Sequence, residues 1–302
     1  MTTSISKRIF LNASALKRTA CDQAYAYMCV DGLTDIGYVE VLNFGTAVHK
    51  FAERCTLHTG YINDDFQDLL KPVMDAYLEA GGEDAKLLIS TCMSYLDIHP
   101  ELPMPFFTGG RFLVENWFEF PFSEQYPNVI RCGTLDRISL INGWIVLYDY
   151  KTSRAYDQEE VLENYALSTQ MAFYVSSIIK HPEAFSTDER FIAAAKAGKV
   201  RIHIVPAFVR VSKTRPIPKW RIGPAVMFSA EQLKQFEDLL ESYIEPIIQV
   251  NELGYGMRNG WISELCRDCP YKGPCHARTP ELRDIIIKES FRKIPYNPKH
   301  YV

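Results

Sequence analysis

The segment CGTLDRISLINGWIVLYDYKTS, residues 132–153, sets two aspartates and a lysine, Asp136, Asp149 and Lys151, among long apolar runs. Burying an unpaired carboxylate costs on the order of several kcal/mol, so a partner must neutralise it. Asn142-Gly143 between two β-like runs is a strong signal for a two-residue hairpin turn. With those residues in the turn, Ile141 pairs with Trp144 and Asp136 falls opposite Asp149. Strand side chains alternate between faces. One face therefore carries Ile138, Leu140, Ile145 and Leu147, and ends in Asp136, Asp149 and Lys151. Like charges directly opposite destabilise a sheet. A divalent cation that prefers oxygen ligands, Mg²⁺ or Mn²⁺, would relieve that repulsion. Taken alone, the triplet also fits a surface hairpin with a solvated Asp/Lys cluster.

A second chemistry-bearing group is the run CRDCPYKGPC, which spaces Cys266, Cys269 and Cys275 as C-x2-C-x5-C. Three close cysteines beside Pro and Gly turns signal a metal site that needs a fourth ligand. A four-sulfur tetrahedral site suits zinc or an iron–sulfur cluster, and the spacing does not separate them. Cys55, Cys92 and Cys132 read as small core residues. Two further pairs share a helix face four residues apart, His49 with Glu53 and Gln170 with Tyr174.

These groups need elements to hold them. Ser14 is placed to cap a helix running to about residue 30. Helices are expected over 44–58, 63–80 and 83–97, followed by a Pro- and Gly-rich connector at 100–110. Residues 111–121 alternate like a strand and carry Glu115. The hairpin of 130–151 adds two strands, and 158–180 reads as one helix opening on acidic residues. Residues 200–212 read as a strand, edge or irregular because of Pro206. A short strand near 219–228 and a helix over 229–253 complete the pattern. The expected class is α/β, a mixed sheet flanked by helices. It forms a single domain with a helical part at 1–105, a core at 106–228, and a helix and cysteine tail at 229–302.

The chain has 302 residues, 47% hydrophobic and 23% charged, which is enough apolar material for a sizeable core. No apolar run is long enough to span a membrane, and the N-terminus lacks a signal-peptide pattern, so a cytoplasmic protein with reduced cysteines is expected. The net charge of −4 argues mildly against a polyanion partner. Residues 191–230, however, hold eight basic residues and no acidic one, Lys213, Arg215, Lys219 and Arg221 among them. That segment is either a phosphate-facing surface or a solvated basic edge.

The residues GTLDRI, IVLYDYKTS and QMAFY together resemble the PD-(D/E)XK nuclease superfamily in its RecB/Cas4/AddB-like branch. Gly-x-x-Asp-Arg at 133–137 matches the first acidic motif, Asp-Tyr-Lys at 149–151 the second, and Gln170-x-x-x-Tyr174 the helix motif that follows. The likeness covers about 44–180 and the cysteines at both ends. It implies a restriction-endonuclease-like core in which Asp136, Asp149 and the Tyr150 carbonyl hold Mg²⁺ or Mn²⁺. Lys151 would orient the attacking water and stabilise charge on the phosphate. FGTAVHKFAE resembles the branch's Gly-x-x-x-His helix, which makes His49 a metal ligand. Glu115 takes a metal-binding or supporting role. Gln170 and Tyr174 would contact the substrate strand or orient Lys151, and Arg137 is structural or touches phosphate. The resemblance also implies a [4Fe-4S] cluster on Cys21, Cys266, Cys269 and Cys275, with zinc as the alternative. Asp22 stands where relatives often have Pro, which leaves Cys29 as a weaker candidate.

The resulting expectation is a metal-dependent DNA exonuclease acting on single-stranded DNA in recombination, repair or end processing, whether of phage or cell. It has no motor motif of its own and would work beside a helicase or recombination partner. The rival readings are a structure-specific endonuclease or adaptation-type end trimmer, and a non-catalytic DNA-binding clamp.

Overall fold

Asn142 and Gly143 both hold positive φ, 50° and 75°, the backbone of the tight turn their types favour. That turn sets the register: Ile141 pairs with Trp144, Leu140 with Ile145, and so on to Arg137 with Tyr148. The structure, a computed structural model, describes residues 8–58, 65–155, 157–166, 168–209, 218–256, 266 and 269–298, with residues 37 and 38 in backbone only.

In chain order the strands are β1 (Ile9–Leu11), β2 (Leu33–Asp35), β3 (Phe107–Thr108), β4 (Arg111–Phe112), β5 (Val114–Pro121), β6 (Val129–Ile141), β7 (Trp144–Ser153), β8 (Val200–Phe208), β9 (Lys219–Trp220), β10 (Ala225–Val226) and β11 (Phe291–Lys293). The helices are α1 (Ala13–Thr19), α2 (Asp22–Tyr25), α3 (Ile36–Leu57), α4 (Phe66–Glu79), α5 (Ala85–Ile98), α6 (Gln158–Ala166), α7 (Thr169–Lys180), α8 (Glu189–Lys196), α9 (Ala230–Leu253), α10 (Lys272–Cys275) and α11 (Pro280–Ser290). The strand pairings form a mixed sheet in the order β1-β6-β7-β8-β10, with β5 also on β6 and β9 also on β8. The fold is the α/β class expected.

The chain divides into two compact units, one of Glu40–Phe118 and Thr134–Leu233, the other of Met1–Val39, Glu119–Gly133 and Lys234–Val302. In the first, β7 runs antiparallel to β6 and parallel to β8. A parallel neighbour requires a long crossover, which α6, α7 and α8 provide. Side-chain alternation sends Val146, Tyr148 and Tyr150 into a core with Val48, Phe51 and Ala52 of α3, Leu69 and Val73 of α4, and Leu88 and Tyr95 of α5. The intervening residues, Leu147, Asp149 and Lys151, point the other way. Asp84 caps α5 by accepting the Leu87 N–H.

In the second unit β1 lies parallel to Val129–Arg131 and β11 pairs antiparallel with β2. Buried Arg131 is neutralised by Glu237 at 2.7 Å.

Several local expectations are corrected. The first helix is capped by Asn12, whose side chain accepts the Ala15 N–H, and not by Ser14. It ends at Thr19, then resumes as α2 and a π-helical turn at Ala26–Val30. The helix over 158–180 is two helices, α6 and α7. Residues 111–121 are split between β4 and β5. Most informative is β8, which is interior rather than an edge, with β7 on one side and β9 and β10 on the other. Pro206 is tolerated there because the segment between β9 and β10 asks only for acceptors: Arg221 N–H donates to Pro206 O and Gly223 N–H to Ile204 O.

Candidate active site

At the end of the β6–β7 ladder the Asp136 carboxylate replaces a backbone acceptor. Its Oδ2 takes the Tyr150 N–H at 2.5 Å. Its Oδ1 faces His49 Nδ1 of α3 at 3.3 Å, and the same nitrogen lies 3.5 Å from Glu115 Oε1 of β5. His49, Glu115 and Asp136 thus bring one ligand atom each within 4.8 Å of one another. Glu115 holds φ of 45°, a left-handed backbone that costs a non-glycine residue about 1–2 kcal/mol and concentrates at functional sites. Asp149 faces Lys151 Nζ at 2.7 Å, and Gln170 of α7 reaches Asp149 Oδ1 at 3.4 Å and Tyr174 Oη at 3.0 Å. All these residues belong to the unit of Glu40–Phe118 and Thr134–Leu233.

The electrostatics are those of carboxylates crowded out of water. Burial works against the His49 cation, but Asp136 and then Glu115 overcome it and raise its pKa to about 10. Burial also opposes the Asp136 anion, yet His49, Lys151 and the Tyr150 N–H hold its pKa below the ordinary value. Asp149 is shifted upward by burial, with Lys151 opposing and Asp136 adding to the shift. Glu115 is likewise raised, first by burial. Lys151 is held in its charged form by Asp149 and Asp136 against the pull of burial.

The donor set fits a hard divalent cation. Hard carboxylate oxygens and one imidazole suit Mg²⁺ or Mn²⁺. Asp149 Oδ2 is buried, with the Lys151 ammonium 2.7 Å away.

Behind the site lies a layer that spacing did not reveal. The Tyr150 ring is buried edge-on to His49, Tyr95 and Trp220, and its hydroxyl is 3.1 Å from that of Tyr95. Arg137 is fully buried on the side opposite Asp136. It donates to the carbonyls of Leu102 and Pro103 and to Thr56 Oγ1, and it lies against the Tyr150 hydroxyl. Arg137 therefore does not reach a phosphate. Glu53 is turned to Lys50 at 2.7 Å and stands outside the ligand group.

Of the basic residues singled out, Lys219 is exposed on β9, Arg221 is ion-paired with Glu159 at 2.5 Å, and Lys213 and Arg215 lie outside the described residues. Cys21 stands at the N-cap position of α2 and Cys275 ends α10; burial raises the Cys269 thiol's pKa, the Tyr271 N–H and Arg18 oppose this, and Cys21 and Cys266 add to it. Among the described residues these sulfurs do not close into a ligand group as tight as that of His49, Glu115 and Asp136. Cys55, Cys92 and Cys132 are core residues.

The profile of the PD-(D/E)XK nuclease superfamily matches residues 11–276, and the chain belongs to that superfamily. It is a nuclease by family, and His49, Glu115 and Asp136 are grouped closely enough that they could hold a metal ion. No curated protein matches the chain. Among solved structures it is similar to one from Eubacterium rectale named "Putative exonuclease", with 14% identity and TM-score 0.41 over 84% of this chain and 90% of that one. A likeness that distant carries no weight for this chain's activity. Among the described residues, no helix is long and apolar enough to cross a membrane.

Proposed function

We propose that the protein is a Mg²⁺- or Mn²⁺-dependent deoxyribonuclease that degrades single-stranded DNA from its ends, in the manner of the RecB/Cas4/AddB-like branch. The observation that carries this reading is the convergence of His49, Glu115 and Asp136 beside the Asp149–Lys151 pair. His49, Glu115, Asp136, Asp149 and the Tyr150 carbonyl would hold the cation. Bound there, it would lower the pKa of water and offset charge on the phosphate. Lys151, kept charged by Asp149 and Asp136, orients the attacking water and stabilises charge developing on the scissile phosphate. Gln170 fixes Asp149 and Tyr174, and so limits where Lys151 swings. Lys219, with Lys213, Arg215 and Arg221, would meet the DNA backbone, which gives binding without sequence preference.

Digestion of end-labelled linear and circular single-stranded DNA with Mg²⁺ or Mn²⁺ tests this. Linear strands should be degraded and circles left intact. Cut circles would make the protein an endonuclease, and binding without cleavage a clamp.

A second reading rests on the C-x2-C-x5-C spacing of Cys266, Cys269 and Cys275, with Cys21 and Cys266 among the groups that raise the Cys269 pKa. These three with Cys275 would hold a [4Fe-4S] cluster as a structural staple. Iron and sulfide assayed after anaerobic purification should be stoichiometric. Zinc in their place would make the staple a zinc site, and Cys21→Ala should abolish either.

A further inference from the structure

Phe106–Leu113 form a hairpin whose base is fixed and whose tip is bare. Phe106 N–H donates to Ile138 O at 2.7 Å, Leu113 N–H to Phe106 O at 2.9 Å, and Ile138 N–H to Leu113 O at 3.0 Å. The Phe106 ring stacks on Phe191 with centroids 6.0 Å apart, and Thr108 Oγ1 lies 3.0 Å from Ser186 Oγ. At the tip Gly109 and Gly110 take φ of 57° and 80°, and a Cβ at either would meet nothing within 4 Å. Phe107 is 56% exposed, with the Phe112 ring edge-on to it at 5.1 Å. Exposed Arg111 is steadied by the Asn116 side-chain oxygen at 2.9 Å, with no carboxylate paired to it among the described residues.

Nothing in folding asks for a rigid hairpin that holds a phenyl ring in water, where its burial would be favourable. Its position supplies a reason. Phe112 is three residues before Glu115, so their Cα atoms lie within about 11 Å of one another, and the Phe107 ring sits against that of Phe112. That is a span of a few nucleotides. Every base offers a π-face, and stacking on an aromatic ring is sequence-tolerant. A guanidinium beside the ring suits the adjoining phosphate. One ring and one cation are too little surface for a stable protein interface, which buries roughly 1,000 Å² or more.

We propose that the β3–β4 hairpin is a base-stacking platform for single-stranded DNA, with Phe107 holding an unpaired base next to the scissile phosphate and Arg111 meeting the backbone. The proposal rests on the nuclease reading and names how that site would grip its strand.

The test is fluorescence anisotropy of the full chain with labelled oligo(dT) and with the same strand made abasic. It uses Mg²⁺ and an Asp149→Asn background to stop turnover. Phe107→Ala should weaken oligo(dT) binding about 5- to 100-fold, the worth of one stacked base, and leave the abasic strand unaffected. Phe107→Trp should restore binding. Phe107 is exposed, so neither change threatens the core. Equal loss on both strands, or loss on neither, overturns the platform. Cleavage by the wild type is scored separately. A wild type that cuts no DNA yet loses base discrimination on Phe107→Ala overturns the nuclease reading and keeps the platform.

Discussion

Asp136 and Tyr150 are joined by a 2.5 Å hydrogen bond from the Tyr150 main-chain nitrogen to the Asp136 carboxylate. A candidate metal ligand is thereby tied to the residue that separates Asp149 from Lys151. The paired-aspartate argument treats Asp136 as a repelled charge awaiting a cation. The structure gives it compensation before any cation arrives, from that N–H, His49 and Lys151.

Asp136→Asn should therefore lower metal-free stability, by about 1–3 kcal/mol, since it weakens charge-assisted hydrogen bonds to buried partners. The sign follows from linkage. Asp136 has a depressed folded pKa, so its contribution is present above the ordinary carboxylate range and fades as pH falls through the folded value. Urea unfolding in EDTA at neutral pH measures it. Equal or higher stability in the variant would mean that repulsion from Asp149 dominates.

Asp149 carries the opposite sign. Its raised pKa means that its charge is a burden in the metal-free fold at neutral pH. Asp149→Asn should raise metal-free stability and abolish cleavage, so the two aspartates separate in the same pair of assays. A destabilised Asp149→Asn would show that the ion pair with Lys151 outweighs burial.

Lys151→Ala should reduce cleavage by at least about 10²–10³-fold, as loss of a group that stabilises transition-state charge does. DNA affinity should change less than about fivefold. Turnover near that of the wild type would remove Lys151 from the mechanism.

Arg137→Lys should fold less stably, by at least about 2 kcal/mol, because an ammonium cannot reproduce the planar fork on Leu102, Pro103 and Thr56. Chemical denaturation checks this, and an unchanged midpoint would show that the fork contributes nothing.

His99 should make the protein acid-sensitive. Burial, and then the Arg137 charge, lower its pKa to about 4. A base with a depressed folded pKa destabilises the fold as pH drops from its unfolded value of about 6.5 to about 4, below which the loss levels off. His99→Gln should flatten stability across that window. Parallel curves for the two proteins would rule His99 out.

The hairpin register was legible because Asn142-Gly143 fixes it locally and one slipped residue would invert every side chain. The helices α4, α5 and α9 followed from periodicity. The layer behind the site was not legible. Tyr95 and Tyr150 stand 55 positions apart, and no local pattern says that their hydroxyls meet. The left-handed backbone at Glu115 was equally hidden, since that residue type seldom adopts it. Pro206 misled because the rule against proline in interior strands concerns donors, and at Pro206 the far side of β8 is asked only for an acceptor.

The division of the chain also sets an order of events during synthesis. The unit bearing the acidic cluster is complete once Leu233 has been made, whereas the unit begun by Met1–Val39 needs Lys234–Val302. At about 5–20 residues per second, Met1–Val39 wait roughly 10–50 s until Val302 has been made. The unit with the acidic cluster can condense on the ribosome while Met1–Val39 still lack their partners. Chaperone demand should therefore fall on Met1–Val39 rather than on the unit that carries the acidic cluster.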